Sequence, residues 1–194
     1  MGRAGLTTER VVAAAAELAD EVGLDGVTLS ALARGFGVKD ASLYSHVRNL
    51  QDLRTRLALL AGTELTDRIA LAVAGCAGKE ALAAFARAYR DYALAHPGRY
   101  AATQLPMDQE LVAAAPAGQR SVELVHAVLR AYRLAEPDLL DAGRLLRATL
   151  HGYVVLETAG GFGHARPVQA SFERAVDALD ALLSNWPAAG SPEA

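Results

Sequence analysis

The stretch from Gly26 to Val47 constrains the fold of this chain most strongly, because it contains two short helical patterns separated by a glycine. In its first half, apolar residues recur at positions i, i+3, i+4 and i+7, which places them on one face of a helix. These residues are Leu29, Leu32, Ala33 and Phe36. Thr28 can cap this helix, and Gly37 stands where a helix commonly ends in a left-handed residue. A helix, a tight turn with glycine and a second helix together form the pattern of a helix-turn-helix.

The second helix of this pattern has an inward and an outward side. Leu43 and Val47 are apolar and lie one helical turn apart, so we expect them to face the core. The outward positions are then Ala41, Ser42 and Ser45, with Tyr44 and His46 on the two flanks. In a helix-turn-helix the second helix enters the major groove of DNA, where flanking side chains meet phosphates rather than bases. A helical hairpin without any role in nucleic-acid binding would show the same periodicity, and it stays open as an alternative.

The run from Gly37 to Asn49, with Leu53 after it, resembles the DNA-binding signature of the TetR family of one-component transcriptional repressors. Its most specific part is the Leu-Tyr pair at 43–44, followed two residues later by an aromatic or apolar residue and then by a helix start. The resemblance implies a DNA-binding domain over residues 1–49 that contacts double-stranded operator DNA. The implied contact residues are Lys39, Asp40, Ala41, Ser42, Tyr44, Ser45, His46 and Arg48.

Three positions in or beside this run depart from the family pattern or complicate it. Leu50 stands where the family often has a lysine that contacts phosphate, and Ser45 stands where it often has a larger aromatic or basic residue. Asp40 stabilises the start of a helix but repels a nearby phosphate. Residues 1–60 hold seven basic and seven acidic side chains, so attraction to DNA must come from local placement. These features support the alternative function, a helical ligand-binding or protein-interaction module whose helix-turn-helix no longer reads DNA.

Composition favours helices and argues against several classes of protein. The chain has 194 residues, of which 52% are hydrophobic and 6% aromatic, and its many alanines favour close-packed helices over sheets. A formal net charge of −3 argues against a protein that coats nucleic acid non-specifically. The single cysteine, Cys76, excludes a disulfide framework within one chain. Because the sequence has no apolar signal segment and no apolar run of about 18 residues, we expect a soluble, cytoplasmic protein without membrane contact.

The apolar periodicity of the whole chain predicts an all-α fold of about nine helices, with an N-terminal three-helix unit and a C-terminal helical bundle. A long helix over residues 50–74 would begin in the first domain and end in the second. We expect a ligand-binding and dimerisation domain over residues 50–186 and a disordered tail over 187–194. The other predicted helices are Leu6–Val22, Lys79–Ala95, Arg99–Gln104, Gln119–Leu134, Pro137–Ala159 and 170–186, with a loop over 106–117. We expect Thr7 to cap the first of these, with Val22 on its inward stripe, and Asn49 to cap the long helix.

The segment from Leu150 to Gly163 resembles the C-terminal domain of TetR regulators of the WHG subgroup, although Leu150 stands where that label has a tryptophan. The resemblance implies a homodimer in which the last two long helices of each chain form a four-helix bundle. The implied interface residues are Leu146, Leu150, Tyr153, Val154, Phe172, Val176, Leu179 and Leu183. Residues buried within one chain would show the same pattern, so this alternative stays open.

The same resemblance implies a ligand pocket between the helices of the second domain. Its candidate lining residues place hydrogen-bonding groups or large side chains on apolar helix faces and loops. They are Tyr89, Tyr92, Met107, His126, His151 and Phe162. Such a lining suits a small, mainly apolar ligand with a few polar groups. The alternative for each residue is a core position whose polar atom is satisfied locally.

No catalytic or metal-binding arrangement stands out in the sequence. The five histidines lack the spacing of metal ligands, and one cysteine cannot form a thiolate site. The glycine-rich run at 160–163 follows a helix rather than a strand, so it does not predict a dinucleotide-binding loop. We therefore expect no enzyme activity, no cofactor and no metal. The sequence predicts a sequence-specific repressor that a small-molecule ligand releases from DNA.

Overall fold

The computed structural model of the chain describes residues 5–106 and 116–187, with side chains from residue 118 onward in the second range. These residues form α-helices and short 3-10 helices without a strand among them, which confirms the all-α fold class. The α-helices are α1 (Thr8–Val22), α2 (Leu29–Phe36), α3 (Leu50–Val73), α4 (Gly78–Ala95), α5 (Pro97–Ala102), α6 (Pro116–Leu129), α7 (Asp138–Thr158) and α8 (Val168–Ser184). The 3-10 helices are Leu24–Gly26, Asp40–Ser45 and Arg130–Tyr132. No helix in these two ranges is both long enough and apolar enough to span a membrane.

Two threonines set where the first two α-helices begin. The side-chain oxygen of Thr7 accepts a hydrogen bond from the backbone N–H of Arg10 over 3.3 Å, and that of Thr28 accepts one from Ala31 over 3.1 Å. Each bond satisfies a backbone donor that has no partner inside its helix. Gly37 ends α2 at φ 66°, a left-handed conformation that glycine adopts without steric cost. The structure confirms all three of these sequence signals.

The long helix α3 begins with a reciprocal cap. The side-chain oxygen of Asn49 accepts the backbone N–H of Asp52 over 2.8 Å, and the Asp52 carboxylate accepts the backbone N–H of Arg48 over 2.9 Å. The hydrogen bond from the Arg48 backbone, followed by the guanidinium groups of Arg56 and Arg48, lowers the pKa of the Asp52 carboxyl below its usual range. These bonds satisfy donors at the start of the helix and stabilise its first turn at the predicted position.

Several helix boundaries differ from the sequence prediction by two residues or more. Helix α5 begins at Pro97, two residues before the predicted start at Arg99. Proline is tolerated there because the backbone N–H that it lacks would have no partner in the first turn of a helix. Helix α6 begins at Pro116, inside the predicted loop, and residues 107–115 of that loop lie outside the described ranges. The helix predicted to reach residue 134 ends at Leu129, continues as a short 3-10 helix and stops at Arg133, whose φ of 56° is left-handed.

The chain divides into two compact units. The first comprises Met1–Thr66 and Ala95–Gln119, and the second comprises Asp67–Leu94 and Arg120–Ala194, each within the described ranges. Helix α3 begins among residues of the first unit and ends among residues of the second. The predicted boundary at residue 50 separates a DNA-binding domain from a ligand-binding domain. The division into compact units does not test these binding roles, so the boundary stays a prediction. The tail from residue 188 onward lies outside the described ranges.

The core of the first unit forms from the inward faces of α1, α2, the 3-10 helix at residues 40–45 and the start of α3. Its fully buried members include Val11, Ala15, Ala19, Val27, Leu43, Leu53 and Leu57. Val22 is predicted on the inward stripe of α1 but is 54% exposed. It is the last residue of that helix, and its side chain lies beside Gly26 in the following surface turn.

Helix α5 approaches the end of α1 at a glycine. A Cβ atom on Gly98 would lie 1.9 Å from the carbonyl oxygen of Ala19, which is far inside van der Waals contact. Only glycine therefore permits this separation of the two backbones. The close approach buries Gly98 and holds α5 in the first unit.

Asp20 at the end of α1 reinforces this contact by acting as a cap for α5. Its carboxylate accepts the backbone N–H of Arg99 over 2.9 Å and lies 3.0 Å from Nδ1 of His96. The Arg99 guanidinium also reaches the Glu64 carboxylate of α3 over 3.2 Å. These bonds connect α1, α3 and α5 within the first unit.

The second unit has its own core, to which α4, α7 and α8 contribute buried apolar residues. Its buried members on α7 and α8 are Ala142, Leu146, Leu150, Val154, Phe172, Val176, Leu179 and Leu183. Arg90 of α4 is 7% exposed, binds Glu157 of α7 through two hydrogen bonds of 2.6 and 2.7 Å, and lies over the ring of Phe172. Arg87 forms a similar pair with Glu173 over 2.7 and 2.9 Å. Because the buried charge of Arg90 is paired, its desolvation is compensated.

We expect Gly98→Ala to lower the free energy of unfolding by about 3 kcal/mol, the upper end of the range for overpacking, because the new methyl group would overlap the Ala19 carbonyl. Gly62→Ala in α3 is the matched control, since an added Cβ there meets nothing within 4 Å. It should be neutral or raise stability by about 0.5–1 kcal/mol, because alanine favours helix. Urea unfolding followed by circular dichroism measures both, and equal stabilities would contradict the close approach.

We expect Asp52→Asn to lower the free energy of unfolding at pH 7 by about 1 kcal/mol, because α3 loses an ionised cap. The folded pKa of Asp52 is lowered, so its stabilisation is present above the unfolded value of about 3.9 and is lost as pH falls through the folded value. The difference between wild type and variant should therefore shrink below about pH 4. Asp25→Asn, at a fully exposed aspartate, is the control. If the loss in free energy of unfolding caused by Asp52→Asn did not change with pH, the role of the charge would be refuted.

Candidate nucleic-acid interface

Residues 39–48, which we call the recognition segment, follow the turn after α2. The turn is closed by a hydrogen bond from the backbone N–H of Val38 to the carbonyl of Ala33 over 2.9 Å. Leu43 and Val47 of the segment are 0% and 2% exposed. Their burial confirms the predicted inward side and fixes the direction of the remaining side chains.

Residues Asp40–Ser45 form a 3-10 helix instead of the α-helix that the prediction assumes. Its backbone hydrogen bonds join residues three apart, and the last runs from the His46 N–H to the Leu43 carbonyl over 2.9 Å. With three residues per turn, side chains three apart eclipse each other. Tyr44 therefore lies over Ala41 along the segment, and its predicted place on a flank stays a prediction.

The outward side chains of the recognition segment are open to solvent. The exposed predicted residues are Lys39, Asp40, Ala41, Ser42, Tyr44, Ser45 and Arg48. Tyr44 is 57% exposed, which is unusual for a large aromatic side chain. His46 is partly buried, and its carbonyl accepts a hydrogen bond from Oγ1 of Thr8 over 3.2 Å. The segment thus presents short polar or small side chains around one exposed tyrosine.

Positive charge lies at both ends of the recognition segment. The Lys39 ammonium has no ion pair with any residue of the described ranges. The Arg48 side chain is 85% exposed and lies 3.6 Å from the Asp52 carboxylate, which also binds Nε of Arg56 over 3.2 Å. Both cationic groups therefore remain accessible to an anion outside the protein.

Three residues that the sequence analysis did not select hold the recognition segment in position. Thr8 binds the backbone of the segment from α1, the hydroxyl of Ser30 in α2 donates to the Asp40 carboxylate, and Asp52 binds the backbone of Arg48. The first two contacts join residues 38 and 10 positions apart in the chain. No periodicity or spacing marks such partners, because they depend on how the helices pack.

The predicted dimer residues are mostly buried within a single chain. The buried ones are Leu146, Leu150, Val154, Phe172, Val176, Leu179 and Leu183. Tyr153 is partly exposed, and its hydroxyl donates to the carbonyl of Ser171 over 3.2 Å. A side chain that its own chain already covers offers no surface to a second copy. Intrachain packing, the alternative left open by the sequence, therefore accounts for their periodicity.

The predicted ligand-binding residues in the described ranges differ in how deeply they are buried. Tyr89 and Tyr92 are buried in the second unit, with the Arg68 guanidinium 5.3 Å from the centre of the Tyr92 ring. The partly buried residues are His126, His151 and Phe162, while Met107 lies outside the described ranges. No group of three His, Cys, Asp or Glu residues in these ranges is placed to hold a metal ion.

A cavity of about 320 Å³ opens elsewhere in the second unit, between the end of α3, the start of α4 and the end of α6. Its lining is mostly apolar, and Arg130 supplies a cation. The lining residues are Val73, Cys76, Ala77, Gly78, Ala81, Ala127, Val128, Arg130 and Ala131. A second cavity of about 290 Å³ lies at the connection between α7 and α8 and includes Phe162, His164 and Arg166. Of the predicted ligand residues within the described ranges, only Phe162 lines either of these two cavities.

Comparison with solved structures shows that this arrangement of helices recurs. A structure of a protein of unknown function from Rhodococcus sp. RHA1 is 27% identical, with a TM-score of 0.76 over 94% of this chain and 97% of that chain. ActR from Streptomyces coelicolor, solved in complex with (S)-DNPA, has the same fold at 20% identity, with a TM-score of 0.68 over 94% of this chain and 98% of ActR.

Sequence comparison identifies the family. The family model for bacterial regulatory proteins of the tetR family matches residues 11–56, and the model for the tetracyclin repressor-like C-terminal domain matches residues 82–179. The uncharacterized HTH-type transcriptional regulator YobS of Bacillus subtilis (strain 168) is 36% identical over 184 residues, which are 93% of this chain and 88% of YobS. None of these comparisons supports the alternative of a helical module that no longer reads DNA. The chain belongs to the TetR family of DNA-binding transcriptional regulators.

Proposed function

We propose that this protein is a homodimeric repressor that binds operator DNA through the recognition segment and leaves it when a small, mainly apolar ligand binds. It acts in the cytoplasm by binding alone, without catalysis. The observation that carries DNA binding is the exposed outward side of a segment whose inward residues, Leu43 and Val47, are buried. Buried anchors keep such a surface in shape before it meets its target, which reduces the cost of binding.

The short side chains of the recognition segment let its backbone approach the floor of the major groove. They are Ala41, Ser42 and Ser45. Such side chains supply few hydrogen bonds to bases, so DNA shape and bridging water contribute to sequence preference. Tyr44 can donate its hydroxyl to a phosphate, and Lys39 and Arg48 neutralise phosphates at the two ends.

Release by a ligand requires that the ligand binds two states of the protein with different affinities. Val73, the last residue of α3, lines the cavity of about 320 Å³. The first turn of the same helix holds Arg48 through Asp52. A ligand that favours one position of α3 therefore also favours one position of the recognition segment. The complex of ActR with (S)-DNPA supports ligand binding in this fold.

For the ligand we propose a chemical class, based on the lining of this cavity. The mostly apolar lining of this cavity suits a small apolar molecule, with Arg130 available to a polar or anionic group. The residues predicted from sequence stay candidates in a rearranged pocket, because the tyrosines among them can hydrogen-bond a ligand only after they move. These candidates are Tyr89, Tyr92, Met107, His126, His151 and Phe162.

We assign the dimer interface to the exposed faces of α7 and α8 instead of their buried faces. Val155 and Leu156 of α7 and Leu182 of α8 are apolar and between 42% and 48% exposed. A small residue lies on the same helix face as each of them, seven positions before Val155 and four positions before Leu156 and Leu182. These are Ala148, Gly152 and Ala178. Small side chains let helices of two chains approach closely, which suits a four-helix bundle across a two-fold axis.

We expect Tyr44→Ala to weaken operator binding about tenfold, because one hydrogen bond and the packing of a ring on DNA are lost. Lys39→Gln should weaken binding to every sequence and reduce the slope of log affinity against log salt by about 1. The matched control is Lys79→Gln, because Lys79 binds Asp177 in the second unit over 2.7 Å. Fluorescence anisotropy on labelled DNA from the region flanking the gene, against scrambled DNA, measures these effects.

The same assay tests the proposed function as a whole. Wild type should prefer an operator over scrambled DNA and should dissociate when an apolar ligand from a small-molecule screen is added. If the flanking DNA contains no operator, a selection from random DNA supplies one. Binding that ignores both sequence and salt would refute the repressor and favour the helical module.

We expect Val155→Glu to shift the protein from dimer to monomer, because a charge would be buried at the two-fold interface without a partner. Val22→Glu is the matched control, since Val22 is exposed to a similar degree on α1, in the first unit. Analytical ultracentrifugation at micromolar concentration distinguishes the two species. A dimer that persists in Val155→Glu and dissociates in Val22→Glu would place the interface on the first unit.

A further inference from the structure

Asp40 is an unusual residue for a surface that approaches DNA, because phosphates repel a carboxylate. It stands at the first position of the 3-10 helix, is exposed, and has no ion pair with any residue of the described ranges. Its Oδ2 atom accepts a hydrogen bond from the hydroxyl of Ser30. Its Oδ1 atom has no hydrogen-bond partner within those ranges and remains available to an outside donor.

Ser30 can hold this carboxylate because its own position is fixed. It lies in the first turn of α2, next to Ala31, whose backbone N–H donates to the Thr28 cap over 3.1 Å. The bond from Ser30 to Asp40 spans the turn of the helix-turn-helix. It therefore restricts the rotamer of a side chain that would otherwise move freely at the surface, and it leaves the other carboxylate oxygen without a partner among the described residues.

The major groove offers two kinds of hydrogen-bond donor to this oxygen. These are the N4 amino group of cytosine and the N6 amino group of adenine. In adenine the acceptor N7 lies beside the amino group and repels a carboxylate, whereas cytosine carries a C–H at the equivalent place. In a helix-turn-helix, the N-terminal residues of the second helix are the ones that reach base edges. The first residue of the recognition helix here is Asp40.

We propose that Asp40 reads a cytosine in each half of the operator, and that Ser30 is the positioning residue that orients its carboxylate. This inference rests on the proposed function and deepens it. When the base at this position offers no donor, the carboxylate stays unpaired near phosphates and weakens binding. Asp40 therefore raises the affinity for DNA with cytosine at this position and lowers the affinity for other sequences, which is how a charge confers specificity.

The experiment is a selection of binding sites from random duplex DNA with the full chain, followed by anisotropy on the selected site and on single-base changes of it. Wild type should select a cytosine at one symmetric position of each half-site. Asp40→Asn should shift that position to adenine, since asparagine pairs with the N6 and N7 atoms of adenine. It should also bind scrambled DNA more tightly than wild type, because a negative charge is removed.

Ser30→Ala should keep the cytosine but lower the discrimination at that position about tenfold, since the carboxylate loses its orientation while the charge remains. Ser30→Thr retains the hydroxyl and should restore discrimination. Ser121→Ala, at an exposed serine of α6, is the matched control and should leave the selected site unchanged. Thermal unfolding by circular dichroism confirms that each variant is folded. If Ser30 had a purely structural role, Ser30→Ala would lower the stability of the protein without changing its base preference at this one operator position.

The outcomes separate this inference from the proposed function. If wild type selects no sequence at all, sequence-specific repression itself is refuted. If wild type selects a site and Asp40→Asn selects the same base at every position, base reading by Asp40 is refuted while the repressor stands. If Asp40→Asn shifts the base and Ser30→Ala discriminates like wild type, the positioning role of Ser30 is refuted.

Discussion

The shape of the recognition segment depends on the burial of Leu43 and Val47 in the core of the first unit. A 3-10 helix of six residues makes too few backbone hydrogen bonds to stay folded by itself. Two apolar anchors supply the missing stability and also set the rotation of the segment about its axis. Once they are buried, the side chains of Tyr44 and of the small residues beside it must face solvent. The polar contacts from Thr8, Ser30 and Asp52 then adjust a surface that packing has already defined.

The acidic residues of the first unit explain how a DNA-binding unit with balanced charge can work. Asp20 caps α5 and binds His96, Asp52 caps α3 and binds Arg56, and Asp40 accepts from Ser30. These three carboxylates are therefore engaged in contacts within the unit, while Lys39 and Arg48 face solvent. A count of charges treats all of them alike, and so it underestimates the local attraction to phosphate.

Helices α7 and α8 show how far a periodic pattern can be interpreted. Both helices carry two apolar faces, one with large residues such as Phe172 and one with small residues around Val155. The larger residues are buried against their own chain, because that contact is intramolecular and costs no entropy of association. The smaller, exposed face is the one that we propose for contact with a second chain. Periodicity marks each face as apolar without telling which partner covers it.

By itself, the sequence determined the all-α class, the caps at Thr7, Thr28 and Asn49, the end of α2 at Gly37 and the inward side of the recognition segment. These are local properties, since each depends on residues within one or two helical turns. Only the tertiary structure decided the eclipse of Tyr44 with Ala41, the Ser30–Asp40 bond and the place of the open cavity. These features join residues that are distant in the chain or depend on fractions of a helical turn. They emerge only when whole helices pack, because packing selects one arrangement among many that share the same periodicity.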